Sequence, residues 1–397
     1  MTTSVIVVSY RVHGWLERCL ESVADQADEV LLVDNGSPGG AVGAIGRRCG
    51  AAVETLDRNR GFAGGVNAGL RRVKGDLVAL LNDDAMAEPG WLASAAKVLA
   101  DPTVAAVGPK ILFPWKFAEI RLDEEPHFAP PDPRPLGRTI ARVELNGRPV
   151  ALGSLRGAGL HELEHEVRDG AERDFRWTAG AGPILVPLDD GLPSTDAAAA
   201  TDPTVTVDGE PVPVTRTVDV ISCAGVYLST EGHAGDYGFE APDDGSFDQP
   251  AERFAATGAA LVARAETFAR LGGLAESFFA YYEDVDWCWR ARLAGLRILY
   301  EPTGVVRHVG GASTGGPASD SVRRLAARNR IRTLARNAPL EVLWAEARSR
   351  VDRPPWMAFS LPTAIAQSVV ERRRLAPTRA LTPSLVWTEW AGRDERW

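Results

Sequence analysis

Short apolar runs alternate with amphipathic stretches of helical length along residues 1–117. The apolar runs predict strands at residues 5–8, 30–33, 52–56, 77–81 and 104–107. The stretches between them predict helices at residues 15–24, 63–73 and 89–99. Strand–helix alternation of this kind favours an α/β fold with a Rossmann-like, mostly parallel sheet. In such sheets ligands bind beyond the carboxyl ends of the strands, which in this chain carry polar residues.

A different pattern occupies residues 118–217, where helical periodicity disappears and Pro, Gly and acidic residues separate short segments. Residues 142–150 and 204–214 alternate apolar and polar positions around an Asn-Gly or Asp-Gly pair, which predicts two β-hairpins. We interpret residues 118–217 as a β-rich inserted subdomain within an α/β domain formed by residues 1–117 and 218–315. Further patterns predict a helix at 283–293, a strand at 297–300 and a helix at 321–336. Residues 316–397 are predicted to form a C-terminal helical extension.

The composition of the 397 residues is that of a globular protein, with 45% hydrophobic and 24% charged residues. Because the formal net charge is −9, a nucleic-acid partner gains little support. The four cysteines form no C-x-x-C pair, which argues against a zinc knuckle and a disulfide framework.

The chain start reads as a buried strand and not as a signal peptide, and no run approaches the ~18 apolar residues that span a bilayer. We therefore expect a cytoplasmic protein. The apolar residues 356–370 and the arginines after them leave two interpretations open: a buried packing helix, or a peripheral contact with the inner face of the plasma membrane.

Paired carboxylates stand at the end of one predicted strand, where Asn82, Asp83 and Asp84 follow an apolar run. A hard cation such as Mg²⁺ or Mn²⁺ binds one or two carboxylates and completes its shell with phosphate oxygens. A diphosphate donor requires such a site. The alternative is a solvated turn that caps the next helix.

Two further segments follow strand ends. Asp34 and Asn35 offer an acid and an amide for a nucleobase edge and a ribose, or else form an Asx turn. Residues 58–67 carry glycines that let the backbone approach a ligand before a helix N-terminus suited to phosphate. The alternative role of these glycines is to allow tight packing between helix and sheet.

Three carboxylates lie behind an aromatic run in residues 278–287, at Glu283, Asp284 and Asp286. A general base must be ionised and close to its acceptor hydroxyl, and aromatic neighbours raise a carboxyl pKa and stack on sugars. The alternative is an acidic first turn favoured by the helix dipole. His308, just after a predicted strand, is either a structural histidine or a further metal ligand.

Taken in this order and spacing, the motifs resemble the family 2 glycosyltransferases with the GT-A fold, nearest to their bacterial rhamnosyltransferase and galactofuranosyltransferase-like branch. The resemblance covers about residues 1–117 and 218–315, through the segments 9–10, 34–37, 59–69, 80–85, 258–264, 278–295 and His308. The inserted residues 118–217 depart from the compact family pattern. We expect them either to shape acceptor choice or to form a structural or oligomerisation module.

The resemblance implies a role for each matching residue. Asp284 is the implied catalytic base, with Glu283 beside it. Asp84 and His308 are the implied ligands of Mg²⁺ or Mn²⁺. Contacts with the donor are implied for Ser9, Tyr10, Asp34, Asn35, Arg60, Gly64, Asn67, Asn82, Asp83 and Arg290. Asn82 departs from the Asp-x-Asp motif of the family, which weakens the ribose contact expected there.

The implied reaction is an inverting single displacement from a nucleotide-diphospho-sugar to a hydroxyl of a glycan or lipid-linked acceptor, in cell-envelope polysaccharide synthesis. dTDP-rhamnose is the first donor to consider, with UDP sugars behind it. A nucleotidyltransferase would normally carry a Gly-rich, basic triphosphate loop near residue 10, and residues 9–14 have none. A nicotinamide-dependent enzyme would need a dinucleotide fingerprint that the chain lacks. A non-catalytic protein that binds nucleotide sugars stays open.

Overall fold

The computed structural model describes residues 1–122, 125–128, 132–168, 171–180, 182–188, 203–310, 320–348 and 355–393. Its strands are β1 (Thr3–Ser9), β2 (Glu29–Asp34), β3 (Ala52–Thr55), β4 (Leu77–Asn82), β5 (Ala85–Ala87), β6 (Val104–Leu112), β7 (Phe117–Ile120), β8 (His127–Phe128), β9 (Pro135–Leu136), β10 (Thr139–Ile140), β11 (Val143–Leu145), β12 (Arg148–Val150), β13 (Leu160–Arg168), β14 (Ala171–Thr178), β15 (Ile184–Pro187), β16 (Val205–Val207), β17 (Glu210–Val212), β18 (Val214–Val218), β19 (Ile221–Cys223), β20 (Val226–Leu228), β21 (Ala234–Asp236), β22 (Ala251–Glu252), β23 (Ala260–Arg264) and β24 (Arg297–His308). Its helices are α1 (Leu16–Ala24), α2 (Ala41–Arg48), α3 (Gly61–Leu70), α4 (Trp91–Val98), α5 (Ala265–Leu271), α6 (Glu283–Leu293), α7 (Asp320–Asn337), α8 (Leu340–Arg348), α9 (Pro355–Leu375) and α10 (Pro383–Trp390).

The chain forms two compact units. The first unit contains Met1–Leu112, Cys223–Tyr237 and Phe247–Trp397, and the second contains Phe113–Ser222 and Gly238–Ser246.

A mixed sheet in the order β22-β24-β6-β23-β4-β1-β2-β3 forms the centre of the first unit. β1 runs parallel to β2 and β4, β2 to β3, and β24 to β6. β23 is antiparallel to its neighbours β4 and β6. The predicted α/β sheet is therefore confirmed. The short strands β22 and β5 also pair antiparallel to β24.

Burial follows the apolar pattern that predicted these elements. All seven residues of β1 are buried. α1 buries Leu16, Cys19, Leu20 and Val23, which lie on one helical face at a spacing of three and four residues. In α3 the glycines make room for β1, since a Cβ at Gly65 would lie 2.4 Å from Cγ1 of Val8. The packing alternative for this glycine-rich segment is thus observed.

Several elements of the first unit differ from the prediction, and α2 and β24 have an identifiable reason. α2 was not predicted, because AVGAIGRR carries two glycines and only a short apolar face; Gly46 packs against Leu32 and Val53. β24 extends from Arg297 to His308 and not only to residue 300, because its register against β6 shifts between Glu301 and Val305 and the pairing then resumes. This extension carries His308 onto the sheet edge.

The second unit is built of short strands. Both predicted hairpins form: Asn146 and Gly147 turn β11 into β12, and Asp208 and Gly209 turn β16 into β17, all four residues with positive φ. β11 also pairs with β16, which joins the hairpins into one four-stranded sheet. Two three-stranded sheets, β10-β14-β13 and β15-β7-β18, complete the β-rich character that the sequence predicted.

Helices α7 to α10 form the C-terminal part of the first unit, as predicted, and α7 packs against α6 and α9. None of the helices within the described ranges is both long enough and apolar enough to cross a membrane.

Candidate active site

Polar residues from several strands of the first unit meet at one edge of the central sheet. Val8 of β1 pairs with Asn82 of β4, and Ser9 pairs with Asp34 of β2. The amide of Asn82 donates to the carbonyl of Ala259 at 2.9 Å, so the start of β23 lies at the same edge. The end of β24 arrives there too, because His308 pairs with Ala85 of β5. Strand register therefore brings Asp34, Asn82 and His308 to one edge of the sheet.

Asp84 and His308 contact each other at this edge. His308 Nε2 lies 3.1 Å from Asp84 Oδ1 and 3.2 Å from the side-chain nitrogen Nδ2 of Asn82. Burial lowers the pKa of His308, but the charge and hydrogen bond of Asp84 outweigh it and the net pKa is raised. A carboxylate oxygen and an imidazole nitrogen this close are suited to a shared cation.

Asp84 and His308 by themselves would not complete the coordination shell of a metal ion. Across the described parts of the chain, no group of three or more His, Cys, Asp or Glu side chains is arranged to hold a metal ion. Mg²⁺ and Mn²⁺ in phosphate-binding sites take one or two protein carboxylates and fill the remaining positions with substrate oxygens and water. Asp84 with His308 fits a cation of that kind, but not a structural metal.

Asp83, the neighbouring carboxylate, is held by a residue that the sequence did not single out. His13 Nε2 lies 2.9 Å from Asp83 Oδ2, and this hydrogen bond raises the pKa of His13. His13 follows β1 by four residues, so its position just beyond a strand end was the available signal. The ion pair occupies one oxygen of Asp83 and aims its carboxylate towards the loop after β1.

Asp284, in the first turn of α6, contacts the segment just before β23. Its Oδ2 accepts a hydrogen bond from the amide of Gly258 and its Oδ1 one from the amide of Val285, each at 2.7 Å. Burial raises the pKa of Asp284 and these backbone donors oppose the rise. The carboxylate is therefore fixed at both oxygens and has the elevated basicity of a candidate general base.

Glu283 is buried more deeply, with a side chain 4% exposed. Burial, and then the charge of Asp284, raise the pKa of Glu283 well above its usual range. Both causes disfavour the ionised form of Glu283 that a proton acceptor needs. This environment favours Asp284 over Glu283 as the base.

The third acid of this segment, Asp286, belongs to a buried ion-pair network. Arg290 Nε donates to Asp286 at 3.0 Å and Arg336 Nε at 2.6 Å. The rest of the Arg290 guanidinium donates to the carbonyls of Leu271, Gly272 and Gly273. The expected contact between Arg290 and a donor diphosphate is corrected here, because a 4% exposed side chain bound to these acceptors serves the packing of α6.

The residues expected around the nucleoside hold their own loops in place. Asp34 Oδ1 accepts from the amide of Ser37 at 2.9 Å, which is the Asx-turn alternative. Asn35 accepts from the amide of Arg60 at 2.9 Å and donates to the carbonyl of Gly61 at 3.0 Å. The loop at residues 59–61, which we call the donor loop, is thus fastened to the end of β2.

Two residues that follow the end of β3 along the chain also have partners within the protein. Arg60 Nη2 lies 2.8 Å from Glu276 Oε2, and Asn67 Oδ1 accepts a hydrogen bond from the amide of Leu274 at 2.9 Å. A Cβ at Gly64 would lie 2.6 Å from Cβ of Arg60, so that glycine permits the loop to close on α3. At the end of β1, Ser9 is fully buried and Tyr10 is half-buried, with the guanidinium of Arg11 5.1 Å from its ring centre. Direct contacts of these residues with a donor stay predictions.

Asp236, on β21, is another acid that sequence reasoning missed. The pKa of Asp236 is raised to about 6, first by burial and then by the negative charge of Asp284, while Cys223 and His308 oppose the rise. Asp236 therefore lies within electrostatic range of both residues. Its surrounding segment has no regular pattern, so nothing in the sequence marked it.

Comparison with known proteins agrees with this geometry. Residues 4–158 match the model of glycosyl transferase family 2. A pre-mycofactocin glycosyltransferase of Mycobacterium tuberculosis is 36% identical over 112 residues, covering 28% of this chain and 23% of that protein. The glycosyltransferase AglE of Haloferax volcanii is 29% identical over 122 residues, covering 28% of this chain and 40% of that protein. The match thus spans less than half the length of these relatives.

A solved structure of GalNAc-T7 with UDP, GalNAc and Mn²⁺ shares the fold. The TM-score is 0.53 at 13% sequence identity, and the alignment covers 98% of this chain and 56% of that one. At this identity the likeness shows the fold alone, which is the GT-A fold expected from the sequence.

Proposed function

We propose that this chain, whose residues 4–158 match the model of glycosyl transferase family 2, transfers a sugar from a nucleotide-diphospho-sugar to an acceptor hydroxyl, with inversion and with a divalent metal. The observation that carries the proposal is that a candidate cation-binding pair and a candidate general base lie at the same edge of the sheet. Asp84 and His308 form a cation-binding pair 3.1 Å apart. Asp284 is fastened to the neighbouring strand through Gly258.

The chemistry follows from these side chains. Asp284 accepts the proton of the acceptor hydroxyl, whose oxygen bonds to the anomeric carbon on the face opposite the diphosphate. The bond from that carbon to the diphosphate oxygen breaks, so the configuration inverts and a nucleoside diphosphate leaves. Asp84 and His308 would hold Mg²⁺ or Mn²⁺, which neutralises charge on the leaving diphosphate when bound. Asn35, Arg60 and Asn67 keep the donor loop shaped against the sheet edge.

The donor and acceptor are proposed more narrowly on the resemblance of the motifs. dTDP-rhamnose is the first donor to test, followed by UDP-galactofuranose, UDP-galactose and UDP-N-acetylglucosamine. A glycan or lipid-linked acceptor in cell-envelope polysaccharide synthesis fits this proposal. The cytoplasmic location stays a prediction from the sequence.

The first experiment screens these donors with the full chain. Thermal shift measures binding with Mn²⁺, with Mg²⁺ and with a chelator, and release of nucleoside diphosphate measures turnover. We expect metal-dependent stabilisation by one donor and metal-dependent release. D284N should lose turnover by about 10²–10⁴-fold while the donor still shifts the melting temperature, because it removes a general base but no donor contact.

Two results would contradict the proposal. Binding of a donor without release from any of them, in the presence of metal and of glycan acceptors, would indicate a non-catalytic nucleotide-sugar-binding protein. Near-normal turnover by D284N would remove Asp284 as the base. D76N is the matched control, since Asp76 is an exposed acid whose side chain accepts hydrogen bonds from Thr2 at the chain start.

A further inference from the structure

The segment before Asp284 has an unusual backbone. Residues 278–282, which we call the aromatic turn, contain Phe279, Tyr281 and Tyr282 with φ of 70°, 68° and 70°. Left-handed backbone is uncommon for any residue with a side chain and is disfavoured for bulky ones. Three such residues within four positions persist only where surrounding contacts hold them.

Those contacts come from α7. Asn329 is fully buried, and its amide nitrogen donates to the carbonyls of Phe278 at 2.9 Å, Ala280 at 2.8 Å and Tyr281 at 2.8 Å. Arg328 Nη2 also donates to the carbonyl of Phe278, at 3.1 Å, and to the side-chain oxygen of Asn329. One amide group thus gathers three carbonyls that left-handed residues turn towards it.

The aromatic turn connects the two halves of the proposed site. The carbonyl of Phe279 accepts from the amide of Ala63, at the start of α3, at 3.2 Å. Gly61 of the donor loop has no Cβ, and one built there would lie 2.3 Å from that same carbonyl oxygen. At its other end the turn runs into α6, where the carbonyl of Tyr282 accepts from the amide of Asp286 at 2.9 Å. Asp284 lies within the helical turn that this last hydrogen bond closes, between Tyr282 and Asp286.

We infer that Asn329 is a positioning residue: through the aromatic turn it sets the place of Asp284 relative to the donor loop. The inference rests on the proposed function for its effect on turnover, but its structural half does not. Without the three hydrogen bonds the turn relaxes from its left-handed conformation, and Asp284 moves from the amides of Gly258 and Val285. A displacement of about 1 Å at a reacting group costs on the order of 100-fold in rate.

A matched control lies on the same helix. Asn337 is also fully buried on α7, but its side-chain amide donates to Asp286 at 2.8 Å and to the carbonyl of Thr333 at 3.3 Å instead of to the aromatic turn. N329A and N337A each remove a buried amide from α7 and each lower the melting temperature. A purely structural role for Asn329 predicts the same consequences for both variants.

Turnover is the first readout. With a donor that the wild-type chain uses, we expect kcat of N329A to fall about 100-fold, with the donor Kd unchanged within about threefold because Asn35 still fastens the donor loop. N337A should keep kcat within about threefold. N329S, which retains one hydroxyl donor, should lose less of its kcat than N329A. It replaces N329A if the alanine variant does not fold.

Hydrogen exchange without any substrate is the second readout. The amides of Gly258 and Val285 donate to Asp284, so their exchange should accelerate roughly tenfold or more in N329A or N329S but not in N337A. Unchanged exchange at these two amides would overturn the inference whatever the activity. Equal losses of kcat in N329A and N337A would also overturn it. A wild-type chain that transfers no sugar, together with accelerated exchange in N329A, would instead refute the proposed function and retain the positioning role.

Discussion

Asp284 and Asp286 share the first turn of α6, yet we expect different properties to change when each is replaced by asparagine. D284N should lose turnover, and D286N should lose stability. Asp286 has no exposed surface. It accepts from Arg290 Nε at 3.0 Å, Arg336 Nε at 2.6 Å, Arg336 Nη2 at 3.2 Å and Asn337 at 2.8 Å. D286N keeps the shape of the side chain and removes its charge, so two buried guanidinium groups lose their shared counter-charge.

The size of the effect follows from that geometry. Removing one partner of a buried ion pair costs about 3–5 kcal/mol, since the charge that stays behind is not compensated. Arg336 retains Glu371, and Arg290 retains three backbone carbonyls. We therefore expect the lower end, about 3 kcal/mol, which is a large share of the ~5–15 kcal/mol that stabilises a typical protein.

Urea unfolding at pH 7, followed by circular dichroism, measures this loss. D284N is the comparison: burial raises the pKa of Asp284, so the ionised carboxylate opposes folding, and removing its charge offsets the loss of one of the two backbone hydrogen bonds that its oxygens accept. We therefore expect D284N to lower the free energy of unfolding by less than D286N does. The pKa of Asp286 is lowered, because its two arginines outweigh burial. Its contribution is complete above the unfolded-state value of about 3.9 and is lost as the pH falls through the lower folded-state pKa.

Two outcomes would refute this reasoning. A D286N variant within about 0.5 kcal/mol of the wild-type chain, the range of ordinary surface substitutions, would mean that the network adds no stability. A D284N variant as unstable as D286N would mean that the two acids are not divided between chemistry and packing.

Three further predictions concern the site and the sheet beneath it. The acid limb of kcat/KM should lie above about pH 3.9, because activity needs ionised Asp284, is present above its raised pKa and is lost as the pH falls through it; a limb at or below that value contradicts the assignment. H308A should raise the Mn²⁺ concentration for half-maximal activity at least roughly tenfold, and an unchanged metal titration would exclude His308 as a ligand. G69V should lower stability by about 1–3 kcal/mol from overpacking, since a Cβ at Gly69 would lie 2.7 Å from Cγ2 of Ile6. G153A, whose Cβ would meet nothing closer than Leu163 at 3.8 Å, is its control, and equal melting temperatures for the two variants would contradict the packing argument.

Much of the site was predictable because strand ends in an α/β sheet share an edge. Asp34 and Asp84 each stand at the end of an apolar run, so their common location could be expected before any coordinates. Asp284 was instead expected near them from the resemblance of its motif, since it lies in a helix. Arg290 could not be placed in this way. It lies one helical turn from Asp286, and only the packing of α6 on α7 and on the carbonyls of residues 271–273 reveals that its guanidinium is used inside the protein.

The sequence by itself determined the elements whose signal is local. Apolar runs of strand length specify β1, β2 and β4, and Asn-Gly and Asp-Gly specify two hairpins, because these preferences act between residues close along the chain. Only the tertiary structure decided which distant elements meet. It joined the two hairpins through β11 and β16, brought His13 to Asp83, and set Asn329 against the aromatic turn. Those contacts depend on strand register and on the burial of one side chain by another far along the chain, and neither quantity is encoded in a local pattern.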